Sequence, residues 1–271
     1  MLKIVFKSLV LLIIASMAHA QKLPKIQETS IWAPANIKID GKATEWSDKF
    51  QAYNPNNRIY YTIANDDDNL YLTLRASDGY GDEKALFGIS FTLKKSAENG
   101  KNSKENMVVT YPTIHATRIT EPIRYTMERY RSLKIDTTSK IKKKIDSLAL
   151  VANKRMDESF KEMYVTGIKE IGESSISIYN EYGIKVAAQF DSHMQYTYEL
   201  AIPLKYLSPF IKRGQKINYN IKMNGIPAKN PNSPYGAPTI TGNIMDNMGV
   251  DNAYITFPTD LSGEYTLAKK P

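Results

Sequence analysis

The 271-residue chain has no cysteine, two tryptophans and three histidines. Without cysteine there is no disulfide framework, no thiolate metal site, no cysteine nucleophile and no acylated N-terminal cysteine. Beyond the first 20 residues, no apolar run approaches the roughly 20 residues that a membrane-spanning helix requires. Past the N-terminal stretch the histidines are His115 and His193, and neither sits in a recognisable catalytic setting. The sequence carries no Gly-x-Ser-x-Gly elbow, no His-Glu-x-x-His helix and no phosphate-cradling glycine loop. Facing carboxylates for glycoside hydrolysis are the one catalytic arrangement that the 28 acidic residues leave open. The expectation is a protein that is not an enzyme.

What is present begins with an export signal. Lys3 and Lys7 precede an apolar centre at Leu9 to Ile14, and Ala18-His19-Ala20 forms a small-x-small cleavage site. Residues 1–20 read as a signal peptide, so the mature chain starts at Gln21 and is soluble in the periplasm or outside the cell. Residues 21–271 read as one domain. The net charge of +8 is not evenly spread, because 13 basic and 8 acidic residues fall between Arg118 and Glu170. A locally basic, exported protein is not expected to bind nucleic acid.

Period-two alternation dominates the rest. Ile59, Tyr61 and Ile63 alternate with polar or aromatic partners, and after Asn65-Asp66-Asp67-Asp68-Asn69 the row continues with Leu70, Leu72, Leu74 and Ala76. Further rows start at Phe87, Met107, Ile184, Tyr196 and Ile217, and Tyr254 to Phe257 suggest a closing strand. This is a mainly β pattern without a βαβ rhythm, and it predicts an antiparallel two-sheet sandwich, jelly-roll-like. One stretch, Thr137 to Tyr164, repeats apolar residues every three or four positions. It predicts an amphipathic helix inside a basic insertion at about 118–170. That helix either packs on the sandwich or serves as an arm for a partner or an anionic envelope surface.

The segment Ile37-Lys38-Ile39-Asp40-Gly41-Lys42-Ala43-Thr44-Glu45-Trp46-Ser47 and the hairpin Asn65 to Leu72 resemble the opening of family 9 carbohydrate-binding modules and related DOMON-like sandwiches. Tyr198-Glu199-Leu200-Ala201-Ile202-Pro203 is similar to a later strand of the same modules. The resemblance implies an exported, non-catalytic sandwich that binds sugar, often with structural calcium, in which Asp40, Gly41 and Trp46 are structural. Sugar capture in the family rests on a pair of stacking aromatics. Trp32 is the tryptophan left over here, and Tyr80 and Tyr235 are the loop tyrosines that stand in.

Asp66, Asp67 and Asp68 form the candidate calcium loop, since a hard cation takes six to eight oxygens. The loops Asp78 to Glu83 and Asp246 to Asp251 are further candidates. The function expected is carbohydrate binding, in glycan binding or degradation. The alternative is an envelope interaction or structural protein that kept the sandwich without the sugar site, its partner a glycan or an envelope component.

Overall fold

The computed structural model describes residues 22–47, 49–95, 106–113, 123, 125–127, 129–130, 139–211, 214, 216–226 and 250–271. Residues 1–21, Tyr235, His115 and Asp246 lie outside the described residues. Two antiparallel sheets make up the protein. The first has five strands in the order β1 (Ala52–Asn54), β2 (Ile59–Asn65), β3 (Asn69–Ala76), β9 (Tyr196–Pro203), β8 (Lys185–Phe190). The second has six, in the order β11 (Thr259–Thr266), β10 (Lys216–Met223), β4 (Ile89–Lys94), β5 (Asn106–Tyr111), β6 (Glu162–Thr166), β7 (Ser175–Ser177). Because β9 pairs with β3 and β10 with β4, two lengths of chain cross from sheet to sheet side by side, in the manner of a jelly roll.

The alternation explains the layers. Tyr61, Ile63, Leu72, Leu74, Tyr198 and Leu200 of the first sheet face Phe91, Leu93, Val109, Tyr219 and Ile221 of the second in one buried core. At its centre the Tyr61 and Tyr219 hydroxyls meet at 3.1 Å, so two polar groups are buried as a pair. The alternate residues Tyr60, Ala64, Tyr71 and Ala201 face outward, where a second cluster forms beneath Trp46 and Phe50. The N-terminal segment therefore covers the outer face of the five-stranded sheet. This is why β3 and β9 are largely buried on both faces.

The hairpin between β2 and β3 is closed by one side chain. Asp66 Oδ1 accepts the N–H groups of Asp68 and Asn69, an Asx turn, and its Oδ2 accepts the Tyr71 hydroxyl.

Helix α1 (Gly79–Ala85) lies in the β3-to-β4 crossing, α2 (Ser139–Ser159) between β5 and β6, and α3 (Val250–Thr256) before β11. Three expectations are corrected here. Tyr254 and Ile255 lie in α3, not in a closing strand, and they pack with Phe87 in a third small cluster. The closing strand is β11, whose sequence hides the alternation because Gly263 stands between the inward Leu261 and Tyr265. A Cβ at Gly263 would lie 2.5 Å from the Tyr219 hydroxyl, so a ring from β10 fills the place of its side chain. The predicted helix ends at Ser159, and Met163 belongs to β6, a full member of the six-stranded sheet. The insertion is therefore shorter than the basic segment. Among the described residues no helix is long and apolar enough to cross a membrane.

Candidate functional site

The two motif segments that carry the resemblance meet in the structure. Glu199, on the outer face of β9, is wholly buried. Its Oε2 accepts the backbone N–H groups of Asp40 and Gly41 at 3.1 and 3.0 Å, and its Oε1 accepts the Trp46 indole N–H at 3.3 Å. Burial pushes the Glu199 carboxyl up to about 7, against the lowering pull of those three donors. Gly41 has φ +81°, and a Cβ there would lie 2.7 Å from the Ala188 carbonyl carbon. Only glycine lets the Asp40–Gly41 turn sit this close to β8. Asp40, Gly41 and Trp46 are thus placed as a latch across the sheet.

Beside that latch lies the candidate site, a cleft of about 620 Å³ along β8. This is within the roughly 300–1,000 Å³ of small-ligand pockets. One wall is β8 from Lys185 to Gln189, and the other is the β7-to-β8 turn with Ile178, Tyr179 and Asn180. Asp40 enters from the latch and Asp157 from the end of α2. Tyr179 is 77% exposed, and the Lys161 ammonium stands 5.6 Å from its ring centroid. The Asn180 amide donates to the carbonyls of Ser177 and Ile184, which fixes the turn. Its Oδ1 is buried with no hydrogen-bond partner among the described residues.

β8 is the edge of its sheet, and α2 holds one end of that edge. The Asn153 side chain accepts the Phe190 N–H and donates to the Phe190 carbonyl, each at 2.8 Å, as a neighbouring strand would. Since Asp191 N–H bonds to the Gln195 carbonyl, antiparallel alternation turns the amides of Gln189, Ala187 and Lys185 toward β9. Those of Ala188 and Val186 then turn toward the cleft. A flat exposed ring, carboxylates, amides and outward backbone groups thus line one opening.

The expected stacking residues fall elsewhere. Tyr80 is not in a loop: it lies in the first turn of α1, capped by Asp78, and is half-buried against Phe87 and Tyr254 with the Arg58 guanidinium 5.7 Å from its ring. Trp32 is half-buried and bridges Asn65 at the far end of β2. β2 keeps Trp32 and Tyr80 about 20 Å apart, too far to grip one sugar ring together. The sequence does not single out Tyr179, because the Ser177 to Gly183 stretch shows no alternation, and only folding brings it beside Asp40 and Asp157.

The acidic loops are engaged with the protein itself. Asp66 is spent on the hairpin turn, and Asp67 stands 4.0 Å from Lys270. Asp78 and Asp251 flank Arg58 at 3.3 and 2.6 Å, while buried Asp82 accepts the Tyr196 N–H. Among the described residues no group of three or more His, Cys, Asp or Glu is placed to hold a metal ion. His193 is an exposed turn residue 3.9 Å from Asp191. In comparisons with protein-family models, curated proteins and solved structures, nothing matches this chain.

Proposed function

We propose that this chain is an exported, non-catalytic carbohydrate-binding module whose sugar site is the cleft along β8. The observation that carries the reading is Tyr179, an exposed aromatic ring at a cleft that also holds Asp40, Asp157, Asn180 and Gln189. A pyranose offers an apolar C–H face and a rim of hydroxyls, and it needs this combination of a flat ring with several hydrogen-bond acceptors. The resemblance to family 9 modules agrees in kind, while the position of the ring is this chain's own. The test is a glycan panel read by direct binding and by thermal shift, on the chain from Gln21 with calcium or with EDTA. A bound glycan raises the melting temperature by mass action, and Tyr179→Ala removes both signals. A panel with no hit, or a hit that Tyr179→Ala leaves intact, rejects the reading.

One observation favours the envelope-interaction alternative. The outer face of α2 exposes Leu150 and Val151 close to Lys143, Ser147 and Lys154 at helical spacing, an apolar patch rimmed by positive charge. Under that reading Leu150→Glu with Val151→Glu abolishes retention on isolated envelopes, and Tyr179→Ala has no effect on it.

A further inference from the structure

A second cleft, of about 530 Å³, opens where three separate segments end. Lys95 follows β4, Lys169 follows β6, and Lys205 lies in the helical turn Leu204–Tyr206 after β9. Tyr206 and Phe210 line the same cleft, and Ser208 adds a hydroxyl. Glu170 is the one carboxylate among the lining residues, so the four charged side chains leave a surplus of positive charge. Lys169, Glu170 and Lys205 form no ion pair among the described residues, and Lys205 stands 4.8 Å from the Tyr206 ring centroid. A surplus of positive charge at one opening attracts an anion. From Gln21 onward the chain carries 34 basic and 28 acidic residues, a net charge of +6, which draws anions toward it.

One hydrogen bond links a residue of the second cleft to the turn beside the first. The Tyr206 hydroxyl donates to the Tyr182 carbonyl at 3.1 Å, tying the wall of the second cleft to the turn that presents Tyr179 in the first. We infer that the ligand is an acidic oligosaccharide, whose neutral ring face rests on Tyr179 while a carboxylate or sulfate further along the chain enters the lysine cleft. This deepens the sugar-binding reading and rests on it. Specificity for acidic glycans comes from Lys169 and Lys205, and general sugar affinity from Tyr179.

The experiment uses the full chain from Gln21 with a panel of uronate- and sulfate-bearing hexasaccharides and their neutral counterparts, at 50 and 300 mM salt. An acidic hexasaccharide is expected to bind about tenfold tighter than its neutral counterpart at low salt, and the advantage shrinks at high salt as charges are screened. Both lysines are exposed, so Lys169→Gln with Lys205→Gln leaves the fold and the melting temperature unchanged. That double variant loses the preference for acidic chains and keeps the neutral affinity, whereas Tyr179→Ala weakens both. If acidic and neutral chains bind alike, or if the lysine variant keeps the preference, the inference is overturned and the sugar-binding reading stands. Failure of every hexasaccharide to bind overturns both.

Discussion

The Tyr196 and Tyr198 hydroxyls lie in the core with no hydrogen-bond partner among the described residues. Burial raises the pKa of both phenols well above its ordinary value, so they stay protonated and polar in an apolar setting. Tyr61 is the contrast, because its hydroxyl accepts the Gln27 N–H and pairs with Tyr219. Removing an unpartnered buried hydroxyl costs nothing, while removing a shared one strands its partners. Tyr198→Phe is therefore expected to leave the melting temperature unchanged or raise it, and Tyr61→Phe to cost about 1–2 kcal/mol in urea titration. Gly41 is the most constrained position of the latch. Gly41→Ala places a Cβ against the Ala188 peptide in a left-handed conformation, and a loss of about 3 kcal/mol is expected in the same titration. The resemblance implies structural roles for Gly41 and Trp46, and the structure places the N–H groups of both on Glu199. Nothing in the sequence shows that Glu199 closes the latch, because a buried carboxylate on an outward strand position reads as a solvent-facing one until the covering segment is seen.

At the scale of elements, α2 decides how the basic segment is understood. Ala149, Ala152 and Met156 belong to the main core, and Asn153 occupies the edge of β8. The helix is part of the sandwich, so removing it would open the core instead of sparing it. Met156→Ala is expected to cost about 2–5 kcal/mol. Asn153→Ala is expected to cost about 1–2 kcal/mol and to speed hydrogen exchange at the Phe190 amide, since it removes both bonds to that residue. The three- and four-residue spacing predicts a helix from Thr137 to Tyr164, and α2 occupies Ser139–Ser159 of that stretch. The predicted span overruns into β6 because Met163 keeps the helical interval while its neighbours Glu162 and Tyr164 already alternate as a strand. Tyr254 and Ile255 are the reverse case, a short apolar run that satisfies either period until its neighbours are known.

For the whole molecule, two buried groups titrate near neutrality in opposite senses. Glu199 has a folded pKa of about 7 against an ordinary 4.5, so the folded state holds a proton that the unfolded state has lost between these values. Stability from this group is full below pH 4.5 and is lost as pH rises to about 7. Lys84 is buried beneath Tyr254, 4.0 Å from the ring centroid, and donates to Thr259. Burial, and then the nearby Arg58 charge, lower it to about 7 from an ordinary 10.5. Here the unfolded state holds the extra proton, so stability rises with pH from about 7 to 10.5. The two groups together predict a minimum of stability near neutral pH. A series of melting curves from pH 4 to 10 checks it: Lys84→Met should abolish the rise on the alkaline side, and Glu199→Gln should flatten the fall on the acid side.

The amino-acid sequence by itself determined the two-sheet architecture and the hairpin at Asp66, because period two and turn chemistry act between near neighbours. Only the tertiary structure decided where a ligand would lie. Tyr179, Asp40 and Asp157 belong to a turn, a latch and a helix end, and Lys95, Lys169 and Lys205 to the β4-to-β5, β6-to-β7 and β9-to-β10 connections. Each set is brought to one opening only by the packing of the two sheets, and no local pattern records that meeting.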